Sequence, residues 1–228
     1  MNFKTNVFTL TSLLAAVAMA CLQQVARAQD LVLDDFSTGA GKLGPISSGS
    51  RTGTQVGSGI IGGTRWANLD IGKASANEFR QPSDVQFLPS TTPNVPSAMV
   101  WTAGYKSNAR IEVGYGNDAN IAPLNLNLTP YDRLRVNFDG LTQVLNFNVE
   151  AWYGPNGTTV ADLGCNLLPS GPFTLDLPLA AFKSASPLDW SNIAGFYLIF
   201  QGDSSLAITG FSAIPASDPP GSVVCGII

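Results

Sequence analysis

The sequence predicts an all-β protein, folded as a two-sheet antiparallel β-sandwich. Three observations predict it. Some ten short segments alternate apolar and polar residues with period two, the repeat of a strand with one buried face. Turn formers separate them: the 228 residues include 23 Gly and 15 Pro, and only 12% are charged. No long helical periodicity follows Ala28. Many short strands joined by turns protect their edges by pairing two sheets or by closing into a jelly roll.

The first residues read as an address. Lys4 supplies a basic start, Leu10 to Ala20 a short apolar run, and Ala26-Arg27-Ala28 a small-residue cleavage site. The run is shorter than the roughly 20 residues that a membrane-spanning helix needs. Cys21 lacks the Leu three residues before it that a lipid anchor wants. Residues 1–28 are therefore expected to be a signal peptide, and the protein to be exported to the periplasm or beyond. No transmembrane segment is expected. Cleavage removes Lys4 and Arg27, leaving ten basic residues against 16 acidic ones. That balance excludes nucleic acid, whose binding rests on clustered Lys and Arg. The remainder suits one β-sandwich domain over 29–216 and a tail over 217–228.

Strands are read in order as follows. Leu31 to Phe36 is the first. Ser37 to Gly59, rich in Gly and Ser, reads as a long loop or ragged edge. Thr64 to Ile71 turns Ala67, Leu69 and Ile71 to one face and Trp66, Asn68 and Asp70 to the other. Phe79 and Val85 to Phe87 are further strand, interrupted by Pro82. Ser97 to Tyr105 carries Met99, Trp101 and Ala103 on one face. Arg110 to Tyr115 sends Ile111, Val113 and Tyr115 inward. Phe173 to Leu177 is a strand, Leu179 to Phe182 a helical turn, and Gly195 to Phe200 and Leu206 to Phe211 are the last strands.

The clearest pattern lies between Tyr131 and Tyr153. Leu134, Val136 and Phe138 alternate with Arg133, Arg135, Asn137 and Asp139. Leu145, Phe147, Val149, Ala151 and Tyr153 alternate with Asn146, Asn148, Glu150 and Trp152. Asp139-Gly140 supplies a turn between them, so the two are expected to pair as a hairpin.

Two cysteines remain after cleavage. In an oxidising compartment Cys165 and Cys225 are expected to form a disulfide that ties down the tail. The chain contains no His. That excludes Ser-His-Asp and Cys-His nucleophile systems and removes the commonest transition-metal ligand.

Four stretches together resemble the galactose-binding-like jelly roll shared by many carbohydrate-binding modules. They are Leu33-Asp-Asp-Phe36, Leu126 to Arg135, Phe173 to Phe182, and Leu188 to Phe200 with its Asp-Trp-Ser-Asn-Ile lead. The likeness spans most of the chain after Ala28, and each piece is a packing pattern. It implies that fold and a carbohydrate-binding class of function. Such modules often hold a structural calcium through an acidic residue in the last strand. Ala207 to Phe211 has no carboxylate, so no cofactor is expected and calcium has no assigned ligand.

The outward row of the expected hairpin is the leading candidate ligand site: Arg135, Asn137, Asn148, Glu150 and Trp152, with Arg133 and Asn146 beside them. Amides and charged groups can pair with sugar hydroxyls while an aromatic ring covers the apolar face of a pyranose. The alternative is a solvated sheet face with an Arg135–Glu150 cross-strand pair. Trp66 is a second binding candidate; Trp101 and Trp190 read as packing. Asp34-Asp35, Asn117-Asp118-Ala-Asn120 and Asp203-Ser-Ser205 offer oxygen ligands without a recognised calcium spacing, and turn roles account for them. No catalytic residue is assigned. Glu78, Glu112 and Glu150 are the only glutamates, and a glycosidase would need two of them placed together. The sequence thus points to a non-catalytic glycan-binding protein. The alternatives are an envelope assembly protein with a protein partner, or a glycoside hydrolase.

Overall fold

A computed structural model describes residues 28–72, 80–118, 121–154 and 157–225. Residues 1–27 of the expected signal peptide, with Glu78, Phe79 and Asn120, lie outside the described residues.

In chain order the strands are β1 (Leu31–Asp34), β2 (Gly41–Ile46), β3 (Gly49–Val56), β4 (Thr64–Ile71) and β5 (Ser83–Leu88). Next come β6 (Ala98–Thr102), β7 (Ala109–Gly116), β8 (Arg133–Leu141), β9 (Leu145–Tyr153) and β10 (Thr159–Leu167). The last are β11 (Phe173–Pro178), β12 (Lys183–Ser184), β13 (Ile193–Gly202), β14 (Leu206–Ile214) and β15 (Val223–Val224). Short 3-10 turns occupy Ile61–Gly63 and Leu179–Ala181, the second where the sequence predicts a helical turn.

Two sheets pack face to face. Sheet I runs β15-β11-β8-β14-β6-β5-β2, with β1 pairing the end of β14; sheet II runs β12-β10-β9-β13-β7-β4-β3. All pairs are antiparallel except β11 with the two-residue β15. The expected two-sheet antiparallel sandwich is what forms. Its core is supplied by the predicted alternation: Leu134, Val136 and Phe138 from β8 meet Leu145, Phe147 and Val149 from β9 across the gap. The Phe138 and Phe147 rings meet edge to face at 6.0 Å.

Two expectations are corrected. β8 and β9 do not pair as a hairpin. The chain leaves sheet I after Leu141, which bridges Ser170, and enters sheet II at Leu145. β8 pairs instead with β11 and β14, and β9 with β10 and β13. Alternation reports which side of a strand is buried and is silent on which neighbour it takes. Second, of the two readings of Ser37 to Gly59, the loop gives way to the ragged edge: the stretch contains β2 and β3. Both are edge strands, and β3 is held by an unbroken eight-residue register with β4. An edge strand whose side chains meet water on most of its length needs no apolar period, so the pattern hides it.

A charged group lies inside the sandwich. Arg65 and Asp34 are both fully buried and paired, joining β4 of sheet II to β1 of sheet I. Asp34 also accepts from Tyr115 Oη at 2.9 Å and from the Phe36 amide at 2.8 Å. Arg65 donates to the Gly39 carbonyl at 2.9 Å and to Gln55 Oε1 at 3.3 Å, and its guanidinium lies 4.1 Å from the Phe87 ring centroid. Burial pushes the Asp34 carboxyl up, against the pull of Arg65 and the hydrogen bonds it accepts. Asp34 is therefore committed to the core. Sequence parity carries a sign of this: Arg65 sits in step with Ala67, Leu69 and Ile71.

Cys165 in β10 and Cys225 beyond β15 form the expected disulfide.

Candidate functional site

Because β8 and β9 belong to different sheets, the predicted row divides between opposite faces of the sandwich. Arg133, Arg135 and Asn137 lie on the outer face of sheet I. There Arg135 makes a two-pronged pair with Asp176, its direct cross-strand partner: Nε to Oδ1 is 2.7 Å and Nη2 to Oδ2 is 3.1 Å. Arg133 Nη2 donates to the carbonyls of Asp218 and Pro219, and Arg135 Nη2 to that of Pro219. Asn137 accepts from Thr174 Oγ1 at 3.4 Å. Arg133 and Arg135 clamp the tail onto the sheet at Asp218 and Pro219, while Asn137 is joined across strands to Thr174. No Arg135–Glu150 pair exists, because the two stand on different sheets.

The other half of the row lies on sheet II and finds partners there. The register sets out one line across the strands. Trp66 (β4) stands opposite Gly114 (β7), Gly114 opposite Tyr197 (β13), Tyr197 opposite Glu150 (β9), and Glu150 opposite Asp162 (β10). The next line reads Asn68, Glu112, Ile199, Asn148 and Gly164. Trp152 stands beside the first line, opposite Gly195 and Val160. Trp66 meets Tyr197 edge to face at 5.0 Å, and Trp152 meets Tyr197 at 5.4 Å with the rings tilted by 41°. Three aromatic rings from three strands thus form one continuous strip.

Gly114 makes the strip possible. A Cβ there would fall on Nε1 and Cε2 of Trp66. The bare backbone of β7 lets the indole lie across it from β4 and reach the ring on β13.

Polar groups flank the strip. Trp152 Nε1 donates to Glu150 Oε2 at 3.2 Å. Glu112 is paired with Arg110 at 2.6 Å and receives Asn68 Nδ2 at 3.4 Å, while Asn68 Oδ1 accepts from Ser50 Oγ at 2.6 Å. Burial raises the Glu150 carboxyl above its ordinary range; Glu112 and Asp162 push the same way, against the Trp152 hydrogen bond and Arg110. The Tyr197 phenol is pushed up to about 12, first by burial and then by Asp118, Glu150 and Glu112. Its hydroxyl donates to the Asn117 carbonyl at 3.1 Å.

Sequence reading found Trp66 and Trp152 separately and missed Tyr197, which joins them. Tyr197 sits in an almost wholly apolar run, Gly195 to Phe200, where alternation is degenerate. Trp101 is core, fully buried, and Trp190 packs edge to face on Phe182. Of the other oxygen-bearing segments, Asp35 takes a turn role, accepting the Ser37 amide, whereas Asn117 and Asp203 tie distant loops together: Asn117 donates to the Gly157 carbonyl, and Asp203 accepts from Ser107 Oγ. Among the described residues no group of three or more His, Cys, Asp or Glu side chains is placed to hold a metal ion.

No protein-family model matches the sequence, and no curated protein matches it. Among solved structures the chain is similar to the family 11 carbohydrate-binding module of the cellulosomal cellulase Lic26A-Cel5E of Clostridium thermocellum. Identity is 14%, coverage 83% of this chain and 96% of that one, and the TM-score 0.45. The Clostridium thermocellum family 11 module in complex with a β-1,3-1,4-mixed-linked tetrasaccharide matches at 12% identity, covering 82% and 96%, with a TM-score of 0.44. An exo-β-agarase matches at 12% identity and a TM-score of 0.41; 84% of this chain covers 26% of that one.

Proposed function

We propose that this is an exported, non-catalytic glycan-binding protein whose ligand lies across the strands of sheet II, over Trp66, Tyr197 and Trp152. One observation carries the reading: three rings from β4, β13 and β9 touch in a line on a half-exposed face that also carries amides and carboxylates. Pyranose rings present an apolar face to aromatic side chains and hydroxyls to amides and carboxylates. Asn68, Asn148, Glu112 and Glu150 stand beside the strip for the second role. Glu112 is held by Arg110 and Glu150 by Trp152, which suits positioning of hydroxyls. Export is supported by the leader pattern and by the disulfide, a bond that persists in oxidising compartments.

The test uses the chain from Gln29 on a glycan array and in insoluble-polysaccharide pull-downs, beside Trp66→Ala and Trp152→Ala. Binding lost in both folded variants, with melting profiles close to the parent, supports the site. A folded Trp152→Ala with full affinity sinks it. Release of soluble reducing sugar that disappears in Glu150→Gln would make the protein a hydrolase.

A second reading, a protein partner in the cell envelope, is favoured by β3. Among the described residues no further strand pairs with this edge of sheet II, which runs eight residues without Pro or a register shift. Such an edge can accept another strand. Thr52→Pro should abolish that association and leave glycan binding intact; co-purification unaffected by the substitution argues against it.

A further inference from the structure

The sheet II strip lies among carboxylates. Glu112 on β7 and Glu150 on β9 stand on the two strands that flank Tyr197. Asp162 on β10 is directly opposite Glu150, an arrangement of like charges that weakens a sheet. Asp70 continues the face on β4, opposite Arg110. Asp118 acts on the Tyr197 phenol together with both glutamates. Among the described residues the cations of this face are peripheral: Arg110 is taken up by Glu112, and Lys183 stands opposite Asp162 on the edge strand β12. Among the described residues Glu150 has no ion-pair partner, only the Trp152 indole N–H. It is nevertheless half-buried between aromatic rings. A desolvated carboxylate facing like charges is stabilised by an incoming cation, and aromatic faces attract cations as well.

We propose, resting on the glycan-binding reading of this face, that its ligand is a glycan bearing protonated amines, as in a glucosamine polymer. The apolar faces of the sugar rings stack on Trp66, Tyr197 and Trp152. The ammonium groups lie against Glu150, Glu112 and Asp162. Uronate-rich or sulfated polysaccharides are repelled by the same charges.

Calorimetric titration with β-1,4-linked oligomers of equal length, made of glucosamine, N-acetylglucosamine or glucose, tests this, because acetylation removes the charge and keeps the ring. The glucosamine oligomer should bind about tenfold tighter than the other two, the gain from two or three exposed ion pairs in the middle of their usual range. Rising salt should erase that advantage. The preference should fall towards parity in Glu112→Gln/Glu150→Gln and persist in Asp139→Asn, which makes a single charge change on the exposed outer surface of sheet I. Equal binding of the three oligomers, or a preference that survives the double substitution, overturns the charge proposal and leaves the aromatic strip standing. A preference lost equally in Asp139→Asn shows net charge at work and also overturns it. Binding of none of the three, with a negative glycan array, removes the glycan reading and this proposal together.

Discussion

Gly114→Ala is the sharpest probe of the aromatic strip, because it changes no ring. The added methyl falls on the Trp66 indole, which must rotate away from β7 and lose its edge contact with Tyr197. Gly114 carries no left-handed φ, so Ala fits its backbone and recovers about 0.5–1 kcal/mol of strand propensity. The lost Trp66–Tyr197 pair costs about 0.5–1.5 kcal/mol. These terms nearly cancel, and at roughly 2–4 °C per kcal/mol the melting temperature should move by only a few degrees. Binding has no such compensation: displacing a Trp of the strip from an interface costs about 2 kcal/mol or more, a loss on the order of 30-fold in affinity. Titration calorimetry with the glycan found on the array measures it, and near-ultraviolet circular dichroism reports the broken Trp–Tyr pair. If affinity is unchanged while the dichroism shows the pair broken, Trp66 is not part of the binding surface and the strip argument fails.

Other outcomes follow from the same geometry. Asp34→Ala strands the Arg65 charge inside the core and should lower stability by about 3–5 kcal/mol in denaturant titration, whereas an exposed-acid control such as Asp139→Ala should move it little. Cys165→Ser/Cys225→Ser releases a 60-residue loop and should cost about 4 kcal/mol by the chain-entropy estimate, read as a melting temperature about 10 °C lower. The raised Glu150 carboxyl favours the folded state when protonated. Its contribution is present at acid pH and is lost as pH rises through the folded-state value. Glu150→Gln should therefore melt at or above the parent temperature near neutrality, with the curves converging in acid. A variant that is less stable at neutral pH would show that the carboxylate is favourably placed.

Much of the fold is legible in the sequence, and less of the site. Period-two alternation assigns the buried faces of β8 and β9 correctly at every residue from Leu134 to Phe138 and from Leu145 to Tyr153. The same signal has no information about partner strands. Asp139-Gly140 has the chemistry of a hairpin turn, yet the chain crosses between sheets there. The consequence for the site is direct, since Arg135 and Asn137 went with sheet I and Glu150 and Trp152 with sheet II. Tyr197 was hidden in an apolar run, and Gly114 was hidden because its role is to be empty space beside Trp66. Neither property leaves a periodic trace.

The disulfide has a mechanical consequence. Cys165 belongs to sheet II, while Cys225 follows the strand that is zipped to β11 of sheet I. Tension applied at the C-terminal side of Cys225 is therefore delivered to both sheets through a covalent link, bypassing the two-residue β15 pairing. The cysteines are 60 positions apart and close a covalent loop, so roughly 200 Å of contour length stays locked under load at about 3.3–3.6 Å per residue. A reductant turns that reserve into slack, converting a rigid tether into a long compliant one at the breaking of a single bond.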